Sequence, residues 1–359
     1  MAVTGNDASG ERTIAYTCSY VPEEILLAAG LTPWRMIPRA HPSEADPYLY
    51  PNTCSYVKSL MAAGLSGAAS GAGAVVFANS CAGMRRLHDL WSQYVKAVPA
   101  LFIDVPKKND PPSVEFFASE LRTLARRLEE LFPGSRVTEE KLEDAIAACN
   151  DVRMLMDKVF SLQKDPNKGV SGSAVLGLCL EGARSHPARF AETLKGFLAG
   201  SRQEQASAGA PRIVITANLV HGPELIELIE GLGGRVVVLD SCIGVRHYDR
   251  LVARRAGDPM QALAERYLLR ASCARMEGIE DRFQRLRRMA AEFRADGIVY
   301  STLKFCDTYL YETPLMRMTC EDAGMSFLLL ENEYAWTGLE QMKTRVESFL
   351  AVIGEREAT

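Results

Sequence analysis

Histidine is scarce in this 359-residue chain: only His41, His88, His186, His221 and His247 occur, and no pair has the H-E-x-x-H spacing of a helical zinc site. C-x-x-C is absent too, which removes zinc fingers and thioredoxin-type motifs as organising features. Neither G-x-x-x-x-G-K-S/T nor G-x-S-x-G is found, so any ATP hydrolysis belongs to another protein and a serine-hydrolase elbow is missing. The one glycine-rich stretch, GLSGAASGAG at 64–73, precedes a strand instead of following one. A dinucleotide fingerprint needs the order strand, glycine turn, helix. No apolar run approaches the ~18 residues of a membrane helix, and the opening MAVTGNDASGERT has no apolar signal core. Acidic and basic residues nearly balance at a net charge of -4, with no basic excess to attract nucleic acid. These absences lead us to expect a cytoplasmic chain with no membrane and no nucleic-acid partner.

What is present is cysteine, nine of them, in a chain whose 47% hydrophobic content can bury a large core. In a reducing compartment the choices are buried small hydrophobes, metal ligands or catalytic thiols. Thiolate ligation without C-x-x-C points to iron–sulfur chemistry before structural zinc.

Position in the chain separates the nine. Ile298, Val299 and Tyr300 read as a buried strand, the polar residues after it mark its end, and Cys306 follows in a loop. The same grammar ends VVFANSC at Cys81 and VVVLDSC at Cys242, and Cys18 follows a strand at 13–16. Ligands of open α/β sheets sit at that edge. Cys54 closes the proline-rich loop 41–53 and starts a helix, and Cys273 follows a helix that begins at Pro259. A helix N-terminus favours a thiolate. The first half thus carries Cys18, Cys54 and Cys81, the second Cys242, Cys273 and Cys306, as two matching sets of three. Cys149 in an amphipathic helix, Cys179 in VLGLCL and Cys320 within a helix read instead as core.

Further strands are expected at 34–37, 75–78, 100–104, 213–217, 236–239 and 327–330, alternating with helices. Alternation of this kind predicts an α/β fold of two lobes with parallel sheets and a helical segment between them. The expected division is 12–110 for the first lobe, 111–200 for the helical segment, with NDPPS at its boundary, and 212–359 for the second lobe. SRQEQASAGAP at 201–211 reads as a polar linker. Glu23 and Glu24 open a helix after Pro22; they suit the positive end of its dipole, and are also candidates to move a substrate proton. Arg35, Lys58, Arg85 and Arg86 are candidates to bind phosphate groups, against solvated surface as the simpler role for each.

Several blocks carry a resemblance. YTCSYVPEEILLAAGLTPWRM, NSCAGMRRLHDLW, DGIVYSTLKFCDTYLYETPLMRM and LLLENEYAWTGLEQMKTRVESFL occur in that order. Together they resemble the subunits of 2-hydroxyacyl-CoA dehydratases and benzoyl-CoA reductases. The resemblance implies two Rossmann-like lobes around a 4Fe-4S cluster held by Cys54, Cys81 and Cys306, with one iron open to substrate. It implies an ATP-dependent iron–sulfur activator that delivers low-potential electrons, acyl-CoA thioesters as substrates, and a paralogous subunit as partner. A smaller branch of the family implies instead a homodimer with a double-cubane 8Fe-9S cluster that reduces small molecules, for which Cys18, Cys242 and Cys273 are the additional thiolates. A non-catalytic partner subunit is the third reading, and the intact set of Cys54, Cys81 and Cys306 argues against it.

Overall fold

A computed structural model describes residues 12–39, 41–201, 204–205, 209–255, 257–334 and 339–357. Parts of the expected linker at 201–211 and of the closing block near 335–338, and nearly all of the opening segment, lie outside them.

In chain order the elements are β1 (Thr13–Tyr16), α1 (Glu23–Ala28), β2 (Thr32–Arg35), α2 (Ser55–Leu65), β3 (Val75–Ala78), α3 (Ala82–Tyr94) and β4 (Ala100–Ile103). The long helices α4 (Pro111–Leu131) and α5 (Glu139–Ser161) follow, then β5 (Lys168–Gly169), α6 (Gly172–Gly182), α7 (Pro187–Gly200) and β6 (Glu204–Gln205). After them come β7 (Arg212–Ala217), α8 (Glu224–Gly231), β8 (Arg235–Asp240), α9 (Val245–Tyr248), α10 (Pro259–Leu269) and α11 (Ile279–Glu292). The chain closes with β9 (Gly297–Leu303), α12 (Asp307–Leu310), α13 (Thr313–Asp322), β10 (Ser326–Asn332) and α14 (Leu339–Glu357).

Two four-stranded sheets, each wholly parallel, sit in two compact units. The α/β class expected from the alternation of elements is what the structure has. Unit 1 contains Met1–Arg153, Gly182–Ala191 and Arg250–Glu277; unit 2 contains Met154–Glu181, Glu192–Asp249 and Gly278–Thr359. This differs from three consecutive domains. Helix α4 does not begin a separate segment at NDPPS, because Val114, Phe117, Leu121 and Leu128 enter the same core as Ile14 and Tyr16 of β1. Segment 250–277 returns to that core as well, through Leu263, Ala264 and Tyr267 of α10. A helical period reports an apolar face but not which sheet receives it.

In unit 1 the strand order is β2-β1-β3-β4. The chain goes from β1 outward to β2, then crosses to β3 on the other side, so the order reverses between β1 and β3. That reversal opens a crevice beyond the strand ends. β1 and β3 are buried throughout, as fits central strands covered on both faces. Unit 2 repeats the arrangement as β10-β9-β7-β8, with its reversal between β7 and β9. β9 runs further than the sequence suggests: Ser301 and Thr302, read as strand-ending, stay in register with Leu330 and Glu331 and are buried. Threonine suits a strand, and the Thr302 hydroxyl donates to the carbonyl of Leu303 at 3.4 Å.

Candidate functional site

The carboxyl edge of each sheet is where the sequence placed its cysteines, so each unit is taken separately there. Cys18 lies in the loop after β1 and Cys81 in the loop after β3, on the two sides of the unit 1 reversal. Cys81 caps α3, its Sγ accepting from the Met84 amide at 3.4 Å. Cys54 is the residue before α2 in the same capping position. The first turns of these two helices touch. A methyl group built on Gly83 would stand 3.2 Å from Cγ2 of Val57 and 3.7 Å from the Cys81 sulfur. Lower down, Gly64 of α2 has room for no Cβ, because the Trp91 ring of α3 would lie 2.6 Å from it. A glycine on one helix and a tryptophan on the other therefore set how the starts of α2 and α3 meet.

In unit 2, Cys306 follows β9 at the reversal. Its loop is fixed from several sides. Phe305 takes a left-handed backbone at φ 61°, a costly conformation for an aromatic residue, of the kind that collects at functional sites. The Cys306 amide donates to the carbonyl of Leu303 at 3.1 Å, and its own carbonyl accepts from the amides of Tyr309 and Leu310. The Tyr300 hydroxyl bonds the Tyr309 carbonyl at 2.9 Å and Glu312 at 2.6 Å, and Glu312 pairs with Arg282. Cys242 follows β8, its amide on the carbonyl of Asn218. Beside it Asp240 accepts from Thr216 at 2.7 Å and pairs with Arg285 at 3.1 Å and Arg246 at 3.7 Å. Burial would raise the Asp240 carboxyl, but the two guanidiniums outweigh it and hold the group below the usual carboxylate range.

Cys273 lies after α10, as expected, but it belongs to unit 1 and not with the second-half set. The two matching sets of three thus become four cysteines in unit 1 (Cys18, Cys54, Cys81, Cys273) and two in unit 2 (Cys242, Cys306). All six are half-buried, whereas Cys149, Cys179 and Cys320 are buried, as their reading as core requires. No disulfide joins any of the nine. Burial pushes the Cys179 thiol up to about 12 and the Cys320 thiol up to about 12, and drives Cys149 well above its ordinary value. Those three are inert as thiolates. Among the described residues no group of three or more His, Cys, Asp or Glu side chains is gathered as a ready metal site.

The two glutamates have different surroundings. Glu24 is wholly buried; one oxygen pairs with Arg153 at 2.5 Å and the other accepts from the Tyr267 hydroxyl at 2.8 Å. Burial works to raise it, yet Arg153 and Arg266 win and keep it ionised. Glu23 is half-buried and accepts from the Tyr16 hydroxyl. First-turn dipole stabilisation thus understates Glu24, which is the centre of a buried ionic network. Arg35 is no solvated side chain either: it is buried, its guanidinium 5.6 Å from the Tyr16 ring centroid. Lys58 pairs with Asp46 at 2.8 Å, and Arg85 and Arg86 are exposed. The sequence reading missed Phe305, the Asp240 network and the arginines on either side of Cys273. Only the last had a visible sign, in R-A-S-C-A-R at 270–275.

Comparison with known proteins adds the family. Relatives include the (R)-phenyllactyl-CoA dehydratase beta subunit of Clostridium sporogenes, 24% identical over 96% of this chain and 92% of the relative. A benzoyl-CoA reductase subunit of Thauera aromatica is 26% identical over 88% and 84%, and the lactoyl-CoA dehydratase beta subunit of Anaerotignum propionicum is 24% identical over 98% and 93%. The profile of 2-hydroxyglutaryl-CoA dehydratase, D-component, matches residues 18–353, from the first of the six half-buried cysteines to the last turns of α14, and the chain belongs to that family of enzyme components.

Proposed function

We propose that this chain is the iron–sulfur subunit of a 2-hydroxyacyl-CoA dehydratase or benzoyl-CoA reductase-like enzyme, with Cys54, Cys81 and Cys306 as the ligands of a 4Fe-4S cluster. The observation that carries the reading is the separation of the cysteines: within a chain of this family, three are sealed in the core and six stay half-buried in loops and at helix starts. The donor set fits. Thiolates are the ligands iron–sulfur clusters take, and the touching first turns of α2 and α3 bring the segments of Cys54 and Cys81 to one end of unit 1. A cluster with three protein ligands supplies low-potential single electrons and one iron open to the substrate thioester.

The chain's own residues supply the rest. Cys54 and Cys81 stand at helix starts, whose peptide N–H groups would favour a negatively charged cluster held there. The bonds around Cys306 hold its loop before any ligand arrives, so little is lost on ordering it. Glu23, half-buried beside Tyr16, is the better placed of the two glutamates to hold or pass a proton, since Glu24 spends both oxygens on Arg153 and Tyr267. The partners are an acyl-CoA substrate, an ATP-dependent iron–sulfur activator and a paralogous subunit; the three relatives are themselves single subunits of larger enzymes, two of them designated beta.

One observation favours a second reading, a homodimer with a double-cubane 8Fe-9S cluster. Cys18, Cys242 and Cys273 are half-buried like the first three, and Cys18 and Cys242 follow strands as Cys81 and Cys306 do. An anaerobic assay separates the readings. With activator and ATP, conversion of a 2-hydroxyacyl-CoA only when a paralogous subunit is present supports the first. Reduction of small molecules by the chain and activator alone supports the second, and no turnover of either kind sinks both.

A further inference from the structure

We infer that Arg270 and Arg275 are positioning residues that clamp Cys273 against the loops of Cys18 and Cys81, making it part of the carboxyl edge of unit 1. The inference deepens the iron–sulfur reading and rests on it for its chemistry, though not for its geometry.

The segment after α10 has no secondary structure of its own to place Cys273. Two side chains do it instead. Arg270 Nη2 donates to the Ser19 carbonyl at 2.8 Å and to the Ser19 hydroxyl at 3.0 Å, one residue beyond Cys18. Arg275 Nη2 donates to the Asn79 carbonyl at 3.0 Å, two residues before Cys81, and to the Val105 carbonyl at 2.7 Å. Its Nη1 reaches the Pro106 carbonyl at 2.9 Å. The loops after β1, β3 and β4 are therefore each tied to the short stretch 270–275 with Cys273 inside it.

Tyr20 is the anvil between the two arginines. Its ring centroid lies 4.8 Å from the Arg270 guanidinium and 5.4 Å from that of Arg275, and its hydroxyl accepts from the Cys273 amide at 3.4 Å. Both arginines are buried, and guanidiniums this deep are costly unless geometry returns the energy through bonds and cation–π contact. A lysine could replace the charge, but not a fork that spans three carbonyls. The two cations also bring positive charge to the short stretch that carries Cys273, which suits an anionic thiolate–metal group.

The test uses the full chain after iron has been chelated under anaerobic conditions, so it does not depend on cluster loading. A short bifunctional maleimide followed by peptide mass spectrometry should join Cys18 to Cys273 in the wild type. Arg270→Gln and Arg275→Gln should lower that adduct by about tenfold, while Arg86→Gln, on the exposed face of α3, leaves it unchanged. Should either arginine variant fail to fold, Tyr20→Phe keeps the ring and removes only the acceptor of the Cys273 amide, and Cys273 should then alkylate several times faster. Absence of the Cys18–Cys273 adduct in the wild type, or equal yields and rates in all variants, overturns the clamp. A chain that gives the adduct yet binds no iron on reconstitution upholds the clamp and removes the reading beneath it.

Discussion

Glu24 and Arg153 show what single residues contribute. Their ion pair is buried on both sides, so removing one partner leaves an uncompensated charge in the core of unit 1. Arg153→Met should cost about 3–5 kcal/mol in a denaturant titration. The pH dependence has a definite sign. Arg153 and Arg266 depress the Glu24 carboxyl in the folded state, so its stabilisation is present above the unfolded value of ~4.3 and is lost as pH falls through the folded one. Asp240 behaves likewise beside Arg246 and Arg285. Melting temperature should therefore fall in acid for the wild type, and Glu24→Gln should flatten that fall; an identical acid slope in both proteins would contradict it. The cysteines give a second residue-scale outcome. Iodoacetamide at neutral pH should label Cys18, Cys54, Cys81, Cys242, Cys273 and Cys306 in the folded, iron-free chain and spare Cys149, Cys179 and Cys320. Label on the buried three before unfolding would count against this division.

At the scale of elements, the α2–α3 pair decides whether Cys54 and Cys81 can act together. Gly64→Ala drives a methyl into the Trp91 ring and Val95, and overpacking of this kind costs about 1–3 kcal/mol. Because the same helices carry Cys54 and Cys81 at their starts, iron uptake should fall along with stability; a loss of stability with full iron uptake would show that the helix pair does not set the site. Much of this layer was legible. The span 13–16 for β1, Pro22 ahead of α1 and Cys54 and Cys81 at helix starts all follow from apolar runs bounded by polar and proline residues. Thr138, just ahead of α5, accepts from the Lys141 amide at 3.3 Å, as a threonine at a helix start does. The length of β9 was not legible, since Ser301 and Thr302 are polar by composition and buried by pairing. Nor was the place of Cys273. It is set by arginine bonds to carbonyls far away in sequence, and backbone carbonyls carry no residue-specific sign.

The whole molecule is two parallel sheets, each with its strand order reversing once and each presenting cysteines beyond the strand ends. The alternation of elements announced that architecture, but a chain that leaves unit 1 and returns at Arg250–Glu277 announced nothing locally. The six half-buried thiols are split four and two between the units. The most direct test is iron and acid-labile sulfide per chain, measured on anaerobically purified wild type and on Cys54→Ala, Cys81→Ala and Cys306→Ala. The account predicts about four irons for a single cubane or about eight for a double one in the wild type, and loss of iron in each variant with its melting transition kept. Wild type without iron, or any of the three folded variants with its iron intact, would contradict it.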